Sequence, residues 1–203
     1  MQVSLRPSGL SHADIRSAGI LASVRQAFVD KGFDGASMQD LARAAGMSVG
    51  NFYRYFPSKA AIIQALIEHD ADMVQRDFAA ILTSDQPMAT LRHVIRMRVQ
   101  GQDCADDQAL WTEIEAASRH SAEIAQAAQR METEVIGNLL AVFAAETGLS
   151  LPQAQQRYAT TASFLLVMIK AASCLSCASP IDHEAVRTMI LASIDQALDK
   201  VVP

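Results

Sequence analysis

The sequence of 203 residues has few of the residues that interrupt helices. Only 9 Gly and 6 Pro are spread along it, aromatic residues make up 5% of the chain, and no stretch alternates with the period of two typical of strands. Ala, Gln, Leu, Met and Ile are abundant instead, and such a mixture favours long helices. The composition therefore predicts an all-α globular protein.

The sequence also lacks the cysteine pattern of a secreted protein. Its three cysteines, Cys104, Cys174 and Cys177, are an odd number, and residues 1–11 contain no continuous apolar run like that of a signal peptide. We therefore expect a reducing, cytoplasmic setting. The most apolar stretch, residues 162–178, contains Lys170 and is short for a bilayer span, so we predict a buried helix and no membrane partner.

Residue patterns for metal or catalytic chemistry are missing as well. A helical-bundle metalloprotein, the alternative class for this composition, needs Glu-x-x-His pairs, and the sequence has none. Cys174-x-x-Cys177 has no second ligand pair at zinc spacing, so we interpret these thiols as filling space on an apolar helix face. We expect no catalytic residue, no metal and no cofactor, and therefore not an enzyme.

Charge is unevenly distributed along the chain, although its net value is −5. Residues 1–60 contain seven Lys or Arg against four acids, whereas the other 143 residues contain 10 against 18. This asymmetry indicates a DNA-facing N-terminal module on an acidic body.

Start and stop signals divide the N-terminal part into short helices. After a polar arm at residues 1–11, a helix is expected from His12 or Asp14 to Gly32, followed by a turn at residues 33–36. Ser37 and Asp40 form a capping box that starts a second helix, and Ser48 caps a third, which Pro57 ends. Two short helices joined through a Gly-containing turn are typical of a helix-turn-helix, here at residues 37–56.

The third helix offers residues suited to DNA. If Phe52 and Phe56 face inward, its outer surface carries side chains and open backbone that can contact bases or phosphates, with Asn suited to adenine and Arg to guanine or phosphate. The candidates are Val49, Gly50, Asn51, Tyr53, Arg54 and Tyr55. Lys59, in the first turn of the next helix, adds an ammonium beside free backbone amides.

Residues 32–59 resemble the DNA-binding signature of the TetR family of transcriptional regulators. The capped second helix, Ala44-Ala45-Gly46 and the run Tyr-x-Tyr-Phe-Pro-Ser-Lys that ends at Lys59 all occur in one register. The resemblance implies a DNA-binding domain of three helices at residues 1–58, and a helical ligand-binding and dimerisation domain at residues 59–203, about nine helices in total. Carried over by position, the DNA contacts fall on Ser37, Gln39, Val49, Gly50, Asn51, Tyr53, Tyr55 and Lys59.

The C-terminal part is expected to begin with a helix of more than 20 residues from Lys59. Breaks at Pro87, residues 101–107, His120, residues 148–152 and residues 179–180 predict five further helices. Trp111 lies in a segment that looks like the sixth helix of many TetR-type regulators, where an aromatic residue often lines the effector cavity. Ordinary core packing is the alternative for each candidate: Met97, Trp111, Met131, Phe143, Phe164 and Met168.

Two C-terminal helices, at residues 150–177 and 182–202, carry stripes of small and apolar residues. A symmetry mate could pair with them in a four-helix bundle, the usual dimer interface of the family. The sequence therefore predicts a dimeric repressor that binds a pseudo-palindromic DNA operator and is released by a small-molecule effector. An activator, or a regulator without a ligand, remains open from sequence.

Overall fold

Nine α-helices make up the part of the chain that a computed structural model describes, which is residues 12–100, 105–173, 175 and 182–202. These residues contain no strand, as the all-α prediction requires. The predicted arm at residues 1–11 and the cysteines at 104, 174 and 177 lie outside them. The helices are α1 His12–Gly35, α2 Met38–Ala44, α3 Val49–Tyr55, α4 Lys59–Leu82, α5 Pro87–Gln100, α6 Ala105–Ser118, α7 Ala122–Thr147, α8 Leu151–Ser173 and α9 His183–Leu198.

A kink interrupts α1 where its end is expected. Gly32 has φ 71° and ψ 165°, a backbone conformation that residues with a Cβ rarely adopt. The chain then makes one more helical turn, so α1 extends to Gly35 and the predicted turn at residues 33–36 is mostly helical. Ala36 closes this turn by donating its amide hydrogen to the Gly32 carbonyl over 3.2 Å.

Local hydrogen bonds determine where α2 and α3 begin. The Ser37 hydroxyl accepts from the Asp40 amide at 3.1 Å, and the Asp40 carboxylate accepts from the Ser37 amide at 3.0 Å, which completes the predicted capping box. Ser48 caps α3 through the Asn51 amide. Between the two helices Gly46 has φ 64°, which allows the tight turn of the helix-turn-helix.

The first of two apolar cores holds α1, α2 and α3 together and continues beyond residue 58. Phe28 and Phe52 are fully buried in it, as are Ile63 of α4 and Ile114 of α6. The start of α7 contributes Ile124. Helices α1, α2 and α3 therefore share a core with three helices of the C-terminal part.

The second core lies among the C-terminal half of α4 and the helices α5, α7, α8 and α9. Phe143 of α7 meets Tyr158 of α8 edge to face with ring centroids 5.9 Å apart, and the Tyr158 hydroxyl donates to the Val202 carbonyl at 2.9 Å. Arg92 of α5 pairs with Asp195 and Asp199 at the end of α9. These contacts fix α9 against the bundle.

Among the described residues no single helix combines the length and apolarity needed to cross a membrane. By length and composition alone, α7 and α8 would pass only when taken together across a bend of 116°.

Substitution of Gly32 tests whether the kink depends on glycine. We expect Gly32→Ala to lower the free energy of unfolding by about 1–3 kcal/mol, because alanine must adopt the strained conformation of this position. The cost comes from the backbone, since an added Cβ would meet its nearest neighbour, Glu113 Oε2, at an ordinary 3.5 Å.

Gly137 provides the matched control, because it lies within α7 and a Cβ there would meet nothing within 4 Å. Gly137→Ala should raise the free energy of unfolding by about 0.5–1 kcal/mol. Chemical denaturation of both variants measures the two effects, and equal effects would refute the strain at Gly32.

Candidate nucleic-acid interface and cavity

Helix α3 presents one anchored face and one exposed face. Phe52 is fully buried, and its ring packs at a tilt against that of the half-buried Phe56, with ring centroids 5.4 Å apart. On the other side Val49 is 39% exposed, Tyr53 48% and Tyr55 49%. These three side chains therefore form an exposed patch on the face of α3 that points away from the core. Gly50, Asn51 and Arg54 are exposed on the same short helix.

The start of α2 lies beside this surface in the chain, with Ser37 and Gln39 both exposed. The Ser37 hydroxyl also donates to the Asp40 carboxylate at 2.5 Å, so its hydrogen bonds serve the cap of α2. The hydrogen bond from Lys31 at 2.7 Å and those from Ser37 hold the pKa of Asp40 well below its ordinary range. Asp40 therefore stays ionised, and Gln39 is the freer side chain at this helix start.

Lys59 lies at the start of α4, where the sequence places a phosphate contact, but its ammonium already has partners. It donates to the Phe33 carbonyl at 2.7 Å and to the Asp34 carbonyl at 3.3 Å, and it sits 4.9 Å from the centroid of the Phe33 ring. These contacts tie α4 to the turn after the α1 kink. A DNA contact by Lys59 remains a prediction, and it would have to share or replace these bonds.

The backbone of Phe33 is held from a second side by α6. Its amide donates to the Glu113 carboxylate at 2.7 Å, across 80 residues of sequence. A hydrogen bond to a charged acceptor is among the stronger polar contacts in proteins. Sequence reasoning missed Glu113, because nothing in its own segment indicates a partner so far away in the chain.

An ion pair between Arg25 of α1 and Asp70 of α4 adds a further tie between the N-terminal helices and the C-terminal part. Both side chains are largely buried, with 17% and 14% of their surface exposed. The His69 ring nitrogen Nδ1 lies 3.6 Å from the same carboxylate. Helix α4 is thus fixed to α1 at two levels, by Lys59 at its start and by Asp70 about halfway along.

A cavity of about 160 Å³ lies among α4, α5, α6, α7 and α8. Trp111 and Met131, both candidates from the sequence, line it. The larger part of its wall comes from apolar residues that the sequence did not single out, among them Val74, Phe78, Ile81, Ile95, Val135, Leu139 and Ile169.

The other four pocket candidates lie away from this cavity. Phe143 is fully buried in the second core, and Met168 packs half-buried against the same core. Met97 and Phe164 are each 37% exposed on the outside. The reason is the rotation of each helix about its axis, which a list of large apolar residues does not determine.

Charged side chains surround one end of the cavity. The ammonium of Lys170 in α8 lies between Glu115 of α6 and Glu132 of α7, pairing with both and reaching the Glu132 carboxylate at 2.5 Å. Partial burial opposes the charged form of Lys170, but the hydrogen bonds to Glu115 and Glu132 outweigh it and raise the pKa of Lys170 above its ordinary 10.5. Lys170 therefore stays protonated and joins three helices.

Metal chemistry finds no support in the described part of the chain, where no group of three His, Cys, Asp or Glu residues is placed to hold an ion. The predicted packing role of Cys174 and Cys177 lies outside the described residues.

A short exposed helix that follows a capped helix across a glycine turn is typical of a helix-turn-helix. Residues 20–66 match the profile of a family described as bacterial regulatory proteins, tetR family. In this stretch the chain is similar to TetR-family transcriptional regulators.

Individual relatives match over a part of the chain only. Over 65 residues the chain is 46% identical to the HTH-type transcriptional regulator EthR of Mycolicibacterium smegmatis. The matched stretch is 32% of this chain and 28% of that protein. The curated relatives are matched over only 28% to 40% of their own length.

Solved structures extend the likeness to the whole fold. GusR of Salmonella enterica has a TM-score of 0.71 at 22% identity, covering 94% of this chain and 98% of GusR. AibR, solved in complex with isovaleryl coenzyme A and operator DNA, has a TM-score of 0.59 at 17% identity, covering 88% of this chain and 97% of AibR. At these identities the likeness concerns the fold alone.

Removal of the Glu113 carboxylate tests the contact between α6 and the kink. We expect Glu113→Ala to lower the free energy of unfolding by about 1–3 kcal/mol, because the Phe33 amide loses a charged acceptor in a half-buried place. Chemical denaturation at neutral pH measures this change.

Glu115→Ala is the control on the same helix, since Glu115 is half-exposed and pairs with Lys170 near solvent. It should cost under about 1 kcal/mol. A larger loss from Glu115→Ala than from Glu113→Ala would contradict the importance of the bond to Phe33.

Proposed function

We propose that this chain is a cytoplasmic, homodimeric repressor that binds a pseudo-palindromic operator and is released by a small-molecule effector. The observation that carries the proposal is the exposed face of α3, held out by the buried Phe52 on a capped helix-turn-helix. Nothing in the first core needs these outward side chains, so their exposure is explained by a partner.

The chemistry of this face fits double-stranded DNA. Asn51 can form two hydrogen bonds with an adenine edge, Arg54 can contact a guanine or a phosphate, and Val49 can meet a thymine methyl group. Gly50 faces open space, so the backbone can come close to the groove. Phosphate contacts are expected from Tyr53 and Tyr55, and further DNA contacts from Ser37, Gln39 and Lys59 at the starts of α2 and α4.

Substitutions on α3 separate base contacts from phosphate contacts. We expect Asn51→Ala to change which duplexes are selected from a random pool, since one base contact is lost. Arg54→Ala should weaken binding to all duplexes and reduce the slope of log affinity against log salt by about 1, since one counterion fewer is released. Selection followed by titration at several salt concentrations measures both effects.

Arg76→Ala is the matched control, because Arg76 is exposed on α4 in the C-terminal part. It should leave both selection and salt slope unchanged. Failure of the wild-type chain to select any duplex would overturn DNA binding.

Transcription from a template that carries the selected duplex should fall when protein is added, and a rise would identify an activator instead.

Dimerisation is proposed through α8 and α9, which pack against each other at the edge of the bundle. Val167 of α8 is 56% exposed and Met189 of α9 is 71% exposed, and Phe164 lies one turn before Val167 on the same face. Exposed apolar side chains on two adjoining helices fit a four-helix bundle with a second copy. The two-fold axis would place the α3 helices about 34 Å apart, in successive major grooves.

Val167→Glu tests this interface. We expect the variant to sediment as a monomer and to lose operator affinity, because the two carboxylates would be buried near the axis. Met73→Glu is the control, since Met73 is a similarly exposed apolar residue on α4. It should remain dimeric, and a Val167→Glu variant that also remains dimeric would rule out α8 as the interface.

Effector release is proposed to start at the cavity and travel through α6. This helix contributes Trp111 and Glu115 to the cavity, and between them Glu113 binds the Phe33 amide at the α1 kink. A ligand that moves α6 would therefore move the DNA-binding helices. A coupling of about 1–3 kcal/mol would suffice for regulation. AibR, whose fold is similar, has been solved in complex with both isovaleryl coenzyme A and operator DNA, so a fold of this kind can hold a small molecule and DNA.

A further inference from the structure

The cavity combines an apolar wall with a charged rim whose groups already satisfy each other. We propose that it takes an uncharged, apolar ligand about the size of one aromatic ring, and that Lys170 sets this preference by standing where a ligand cation would otherwise bind, between Glu115 and Glu132. Only the ligand's role as an effector rests on the proposed function, because binding of the ligand in the cavity requires no DNA.

The volume of the cavity limits the size of the ligand. At about 160 Å³ it is close to the roughly 150 Å³ of an engineered apolar cavity that binds benzene. Phe78, Ile81 and Leu139 form part of its buried wall, and Trp111 adds an aromatic surface. One ring or a short branched chain therefore fits without displacing a helix.

Several polar groups of the wall are already bonded or exposed to water. Ser173 donates its hydroxyl hydrogen to the Ile169 carbonyl at 3.2 Å. Asp77 and Arg98 are exposed, so water screens their charges. A ligand with its own charge would lose hydration on entering this apolar space without gaining an unpaired partner from these groups.

The rim cluster decides between the two charged alternatives. Glu115, Glu132 and Lys170 together carry one net negative charge, so a ligand anion is repelled. A ligand cation is attracted by the same net charge but must compete with the Lys170 ammonium, which is covalently held at the site. We therefore expect neutral ligands to bind best, cations next and anions least.

Three single-ring probes test this order: toluene, benzylammonium and benzoate. Trp111 is the only tryptophan of the chain, so its fluorescence reports on the cavity directly. In titrations of the full chain at neutral pH, toluene should bind at least about tenfold more tightly than benzoate, with benzylammonium between them. Benzoate or benzylammonium binding as tightly as toluene would overturn the proposal, and so would a failure of toluene to bind.

Substitution at Lys170 tests its part in the selectivity. Lys170→Met keeps an apolar stem but leaves the two carboxylates without their cation, so benzylammonium should bind about tenfold more tightly and toluene within about twofold of wild type. Lys170→Arg retains a cation and should keep the wild-type order. This second variant keeps the test valid if Lys170→Met fails to fold, because an Arg variant that prefers benzylammonium would also refute the proposal.

A pair of alanine substitutions on α7 locates the binding. Ala128 lines the cavity and Ala145 is exposed outside it. Ala128→Met should fill the space and abolish the toluene response, whereas Ala145→Met should leave it unchanged. Toluene binding that survives Ala128→Met would contradict the assigned site.

The role as effector is judged separately from binding. Toluene that binds the cavity but leaves the operator complex intact would refute release by this ligand class and keep the cavity assignment. A wild-type chain that binds toluene but no duplex would refute the proposed function alone.

Discussion

The backbone of Phe33, just after the kink at Gly32, connects helices α1 to α3 with the helices around the cavity. Its amide is bound by Glu113 of α6 and its carbonyl by Lys59 of α4, so one peptide segment is held from two helices at once. The kink makes this possible, because the positive φ of Gly32 turns the chain out of α1. If either bond is lengthened, the helix-turn-helix keeps the shared core and the Arg25–Asp70 ion pair but loses one of its polar ties to α4 or α6.

Much of the N-terminal part could be predicted from sequence, because its signals are local. The capping box of Ser37 and Asp40, the cap at Ser48 and the turn at Gly46 each act within four residues. The inward face of Phe52 follows from the same short helix. The extra turn after Gly32 was not predicted, since glycine in this region ends most helices and the continuation depends on contacts from α4 and α6.

The cavity could be predicted only in part, because it depends on contacts between distant segments. Trp111 and Met131 line it, while Phe143 fills the second core and Met97 faces outward. The apolar character of a residue predicts that it will be buried. Which neighbours it packs against depends on how the five helices are rotated relative to one another. The pairing of Lys170 with Glu115 and Glu132 likewise joins residues from three helices, and no spacing in the sequence indicates it.

The first core limits how readily helices α1 to α3 could be exchanged for the same helices of another protein with this fold. Phe28 and Phe52 are covered by Ile63, Ile114 and Ile124, which belong to helices beyond residue 58. A segment cut at residue 58 would expose this shared apolar surface to water. If the segment were joined to another C-terminal part, that part would have to offer side chains that pack against the same surface. New binding specificity is therefore acquired more easily by changing the outward side chains of α3 than by recombining whole segments.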